Sequence, residues 1–159
     1  NIEIENIKID LHELQGHREI VIKEKAKLAA ENLQKPCFVE DTSLCFNALN
    51  SLPGVYIREF SEKLGREGLV NLLAAHKDKS AKAIAMIGYC EPGKKPICFE
   101  GMIEGTIVDP RGDRFWWDPI FQPNGYDKTF AEMSIEEKNK ISHRKKALMK
   151  FKEYLENGT

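Results

Sequence analysis

No stretch of this sequence is apolar enough for a membrane. Its hydrophobic runs fall well short of the roughly eighteen residues a bilayer span requires, and the start carries no signal-peptide core. An excess of one charge is also missing. The 24 lysines and arginines face 25 acids, a net charge of -1, so there is no whole-molecule field to collect a nucleic-acid polymer. Any anion must be held by a local cluster. The four cysteines, Cys37, Cys45, Cys90 and Cys98, show no C-x-x-C spacing, and free buried thiols are expected in preference to zinc or disulfides. His12 and His17 match no common zinc spacing. The absence of G-x-x-x-x-G-K-[ST], G-x-G-x-x-G and G-x-S-x-G argues against a P-loop NTPase, a dinucleotide dehydrogenase and a serine hydrolase. What remains, at 159 residues with 42% apolar and 31% charged, is the composition of one globular domain, expected to be cytoplasmic and to touch neither membrane nor nucleic acid.

Hydrophobic periodicity predicts the elements. Ile2, Ile4, Ile7 and Ile9 predict a strand with a change of phase near Asn6. Ile22, Ala26, Ala29 and Leu33 predict an amphipathic helix over 19–33. Cys37-Phe38-Val39 reads as a buried strand that ends in Glu40-Asp41, the place where α/β proteins often put chemistry. A turn at Leu52-Pro53-Gly54 precedes helices over 56–60 and 67–76. The alternation in 81–90 and 97–108 predicts a hairpin of long strands, with Gly101 and Gly105 as bends. Ser134 with Glu137 has the form of a capping box, and Ile141, Leu148, Phe151 and Leu155 make a helical stripe to the end.

Both tryptophans of the chain stand together in Phe115-Trp116-Trp117-Asp118-Pro119-Ile120-Phe121-Gln122-Pro123. No single period buries all these rings. They read either as a platform for a planar heterocycle, where a stacked base contributes roughly 1–3 kcal/mol, or as core aromatics flanking a turn. Ser142-His143-Arg144 interrupts the C-terminal stripe, and a break there would turn an imidazole and a guanidinium inward. Lys140, Lys145 and Lys146 read as a solvated face. Glu13, after the first strand, and Asp41 supply hard oxygen ligands of the kind magnesium takes, leaving its other positions to water and phosphate. Asp41 could also orient or deprotonate water.

Taken in order, Glu40-Asp41-Thr42, Leu52-Pro53-Gly54, Phe115 to Pro123, Thr129-Phe130-Ala131-Glu132-Met133, and Lys138 with Ser142-His143-Arg144 resemble the inosine triphosphate pyrophosphatase family. The resemblance implies an elongated α/β fold with a central mixed sheet of long strands, flanked by helices in two lobes around a nucleotide cleft, related to the Maf-like fold. It implies magnesium-dependent (or manganese-dependent) cleavage of ITP, dITP and XTP to the monophosphate and pyrophosphate, by a homodimer. It assigns Asp41 to catalysis and Glu13 and Asp41 to the metal. Lys25, Thr42 and Arg58 fall to the phosphates or sugar, Phe115 to stacking, and Trp116, Trp117, Asp118, Lys138, His143 and Arg144 to the base. Donors from Lys138, His143 and Arg144 would suit a 6-keto oxygen and oppose adenine's 6-amino group.

Two departures qualify the resemblance. The family's opening [ST]-G-N-x-x-K strand and loop are absent, so one domain over 1–159 without that first strand is expected, and a catalytically impaired binder remains an alternative. Trp116 occupies a position where the family usually has glycine. A related hydrolase of modified pyrimidines is the third reading.

Overall fold

The computed structural model describes residues 2–158 apart from Glu13 and Phe115. Helix α1 (Arg18–Leu33) leads into strand β1 (Cys37–Phe46), the two-residue β2 (Pro53–Gly54) and helix α2 (Ile57–Asn71). The long hairpin β3 (Ser80–Cys90) and β4 (Ile97–Ile107) follows, then β5 (Phe121–Pro123), α3 (Ile135–Ile141) and α4 (His143–Asn157). The strands form one sheet in the order β2-β1-β3-β4-β5. Every described pairing is antiparallel, where a mixed sheet was expected. Strands β3 and β4 are joined by a hairpin, which lays them antiparallel, while the chain reaches β3 from β1 through β2 and α2.

Side-chain alternation sorts the sheet into two faces. Ile22 of α1 packs with Cys45, Ile84 and Met86 on one face, with Val39, Cys98 and Met102 against them. Ala147 and Phe151 of α4 pack with Ala85 and Ile87 on the other, with Phe38 and Phe99 alongside. The largest core cluster shares this second face. It joins Leu44, Phe46, Ala83 and Ile103 to Leu69 of α2 and to Trp117, Phe121 and Phe130.

Several expectations change. Residues 2–9 form no strand, and Ile2 and Ile4 are exposed. Alternation alone cannot hold a strand without a ladder partner, and no described strand pairs with this segment. Glu40 and Asp41 do not end β1 but sit in its middle, paired with Ile87 and Met86 of β3. The two helices expected over 56–60 and 67–76 are both present as the two arms of α2, broken at Gly65, whose φ of 67° and ψ of -177° lie outside the helical region, but the second arm stops at Asn71. Strand β4 runs through Gly101 and Gly105 without interruption. Their missing side chains serve close approach instead. A Cβ on Gly101 would collide with the His143 carbonyl and the Ala147 amide of α4, and one on Gly105 would come within 2.6 Å of the Phe121 ring. The hairpin, the α1 helix and the Ser134–Glu137 capping box are as expected. All four cysteines are free, with Cys45 and Cys90 buried.

Candidate functional site

Two local features of the chain build the first group of candidate residues. The capping box at Ser134 fixes the start of α3, which carries Lys138. Ser142 then takes an extended conformation (φ -64°, ψ 154°), ends α3 and caps α4 by accepting from the Lys145 amide at 3.2 Å. This break is what turns the His143 imidazole inward to 5% exposure. The ring stacks on Phe130 at 5.9 Å and lies 5.6 Å from Trp117. Beside it, Lys138 Nζ donates to Asp118 Oδ2 at 2.6 Å and stands 5.1 Å from the Phe130 centroid.

Electrostatics keep this imidazole neutral. Burial above all, then the charges of Lys138, Arg144 and Lys146, hold the His143 pKa down to about 3. A neutral imidazole offers one N–H and one acceptor nitrogen. Its Nδ1 is buried without a hydrogen-bond partner among the described residues. Leaving a buried polar group unpaired costs about 1–3 kcal/mol, a cost that the polar edge of a ligand would remove. Trp117 is itself 3% exposed and edge-on to Phe121 at 5.7 Å. It is therefore a core aromatic that also walls the histidine.

The second group lies on β1. Lys25 Nζ donates to Asp41 Oδ2 and the Thr42 amide to Asp41 Oδ1, both at 3.0 Å. Neighbouring residues of a strand face opposite sides, so Asp41 meets Lys25 of α1 while Glu40 meets α4. There Arg144 makes a fork, Nε to Oε2 at 2.8 Å and Nη2 to Oε1 at 3.0 Å. The Arg144 side chain is 61% exposed, so the guanidinium leans over the sheet and is not turned inward beside the imidazole. Strand β2 pairs only with Leu44 and Cys45. Over 37–43, β1 is thus the sheet margin among the described residues, with the Asp41–Lys25 pair on the α1 side of the sheet and the His143 group on the α4 side. Arg58 stands on the first turn of α2, in an exposed pair with Glu62 at 3.4 Å. Trp116 has φ 61° and is 39% exposed. Glu13 and Phe115 lie outside the described residues.

Asp41 suits a hard cation. Its carboxylate is partly exposed at the strand edge, and magnesium needs only one or two protein carboxylates when phosphate fills other positions. The described residues contain no group of three potential metal ligands. Two contributors escaped sequence reasoning. Phe130, fully buried beneath both His143 and Lys138, carries no local sign of that position, and the Glu40–Arg144 fork spans 104 residues.

A neutral buried imidazole, an acid–lysine pair and aromatic walls beside an α/β sheet edge define a protein able to hold a flat, polar-edged ligand next to a carboxylate. The comparisons narrow that class. The Ham1 family profile matches residues 1–154, and the chain belongs to this family. It is 54% identical over 157 residues to the inosine triphosphate pyrophosphatase of Tuber melanosporum strain Mel28, covering 98% of this chain and 84% of that protein. The inosine triphosphate pyrophosphatase of Neurospora crassa is also 54% identical, over 155 residues, covering 96% and 80%. Among solved structures, a HAM1 protein from Coxiella burnetii superposes with a TM-score of 0.85 at 32% identity, covering 92% of this chain and 80% of that one.

Proposed function

We infer that this protein hydrolyses non-standard purine nucleoside triphosphates, ITP, dITP and XTP, to the monophosphate and pyrophosphate. The observation that carries the reading is the Asp118–Lys138–His143 group, with a buried ring nitrogen left unpaired beside a lysine donor. The activity named for its relatives supports it. A 6-keto purine would accept from Lys138 and pair with the imidazole, whereas adenine would bring its amino donors against a lysine. Sites built around buried polar groups reject ligands that leave them unpaired by roughly 10⁴.

At the other end, Asp41 orients or deprotonates the attacking water, and Lys25 holds that carboxylate in place and meets phosphate. Thr42 and Arg58 line the phosphate or sugar path. Magnesium, or manganese in its place, would be held by Asp41 with Glu13 and would offset the charge of the triphosphate. No helix in the described residues is long and apolar enough to cross a membrane. A cytoplasmic homodimer fits this reading.

Incubation of the purified chain with ITP and magnesium should release pyrophosphate and IMP. Orthophosphate as the sole product would refute the reading. Tight binding of IMP with no turnover over hours would favour an impaired binder instead, and faster cleavage of dTTP or UTP than of ITP would favour a pyrimidine hydrolase.

A further inference from the structure

Trp116 holds a backbone conformation that a bulky residue adopts only when its surroundings enforce it. Its φ of 61° lies in the left-handed region that favours glycine. Close by, the chain is tied to α2, where Arg66 Nη2 donates to the Arg114 carbonyl at 2.6 Å. Arg66 directly follows Gly65, the residue at which α2 is kinked with φ 67°. The rings around His143 among the described residues are those of Trp117 and Phe130, with Phe121 against both. Trp116 lines a cleft of about 340 Å³ with Ser61, Glu62, Gly65, Arg66 and Leu69, all of α2. Within the wall formed by α2, the Ser61 hydroxyl is buried without a partner among the described residues. Two residues of positive φ, one in the helix and one in the turn, thus line the same cleft close to the Arg66–Arg114 bond.

We propose that Trp116 is a positioning residue: with the Arg66–Arg114 bond it clamps the turn ahead of Trp117 and Asp118 to the kink of α2, so that those two side chains meet the purine in one arrangement. A glycine there would reach the same φ without strain but would leave the turn free to sample others. The clamp acts through Trp117 and Asp118 and touches no reacting atom. Its loss therefore weakens binding of ground state and transition state alike, which raises KM and leaves kcat unchanged. This proposal rests on the hydrolytic reading above.

The test compares wild type with Trp116→Gly, Trp116→Phe, Arg66→Ala and the Trp116→Gly/Arg66→Ala double variant. With ITP and magnesium, Trp116→Gly and Arg66→Ala should each raise KM about five- to tenfold at constant kcat, since each opens the same clamp. The double variant should be no worse than either single one, and Trp116→Phe should restore most of the affinity. Hydrogen exchange read by mass spectrometry supplies a measure independent of turnover. The amides of Arg114 and Trp116 to Asp118 should exchange at least tenfold faster in Trp116→Gly. An unchanged KM, additive effects in the double variant, or unchanged exchange would each overturn the clamp. Wild-type protein that leaves ITP intact would instead refute the hydrolytic reading, and the exchange measurement would still decide the clamp.

Discussion

At the scale of single residues, the two candidate groups differ in how they depend on pH. The folded pKa of His143, about 3, lies below the ordinary histidine value of 6.5. Unfolding therefore takes up a proton between those limits. The stability this residue contributes is complete above about pH 6.5 and is lost as the pH falls toward 3, at up to about 1.4 kcal/mol per pH unit. Denaturant unfolding at pH 7, 5 and 4 should show that slope, and His143→Asn should flatten it. A wild-type curve as flat as the variant's would place the imidazole in contact with solvent. Among the described residues Asp41 is held by Lys25 and the Thr42 amide, in a partly exposed pair of the kind that contributes at most about 1 kcal/mol. Asp41→Asn should therefore abolish pyrophosphate release while the thermal midpoint stays within a few degrees. Retained turnover would remove this residue from the chemistry. Both residues stood out in the sequence by type and neighbourhood. What could not be read was which side chain each would meet, because Lys138, Phe130 and Lys25 reach them from other elements.

Among the elements, those with strong local signals were legible and those that depend on distant packing were not. The Ser134–Glu137 box and the stumble at Ser142 are written in adjacent residues, and α3 and α4 begin where these predict. The alternation of Ile2 to Ile9 was equally plain, yet gives no strand, since ladder partners lie elsewhere in the chain. Gly101 and Gly105 looked like bends for the same reason: the sequence shows a missing side chain but not the helix or ring that fills its place. Gly101 sets the depth at which α4 rests on β4. Gly101→Ala must push back the backbone of His143 and Ala147, and overpacking of this kind costs about 1–3 kcal/mol. The expected outcome is a lowered thermal midpoint together with weaker binding of IMP, measured by calorimetry. Wild-type affinity in a destabilised Gly101→Ala protein would separate the seating of α4 from recognition.

For the molecule as a whole, candidate site and core are one structure at the His143 group. Phe130 belongs to the cluster that ties β1 and α2 to β5, and the same ring supports His143 and Lys138. Phe130→Ala should thus cost about 3–5 kcal/mol of stability and also weaken nucleotide binding. Urea unfolding and calorimetry should move together, and a variant that loses stability alone would show that the histidine holds its place without the ring.

The alternation of β1 gives Glu40 and Asp41, adjacent in the chain, two unrelated addresses: one answers to α4, the other to α1. A single added residue between Cys37 and Glu40, with the first pairs of the ladder kept, would exchange their faces. Glu40 would then take Asp41's place beside Lys25, and Asp41 would turn to the α4 side at the position Thr42 now holds, leaving Arg144 without its acid. Replacement of either acid is a local repair problem, but a change of length in this strand rewires both ends of the site at once.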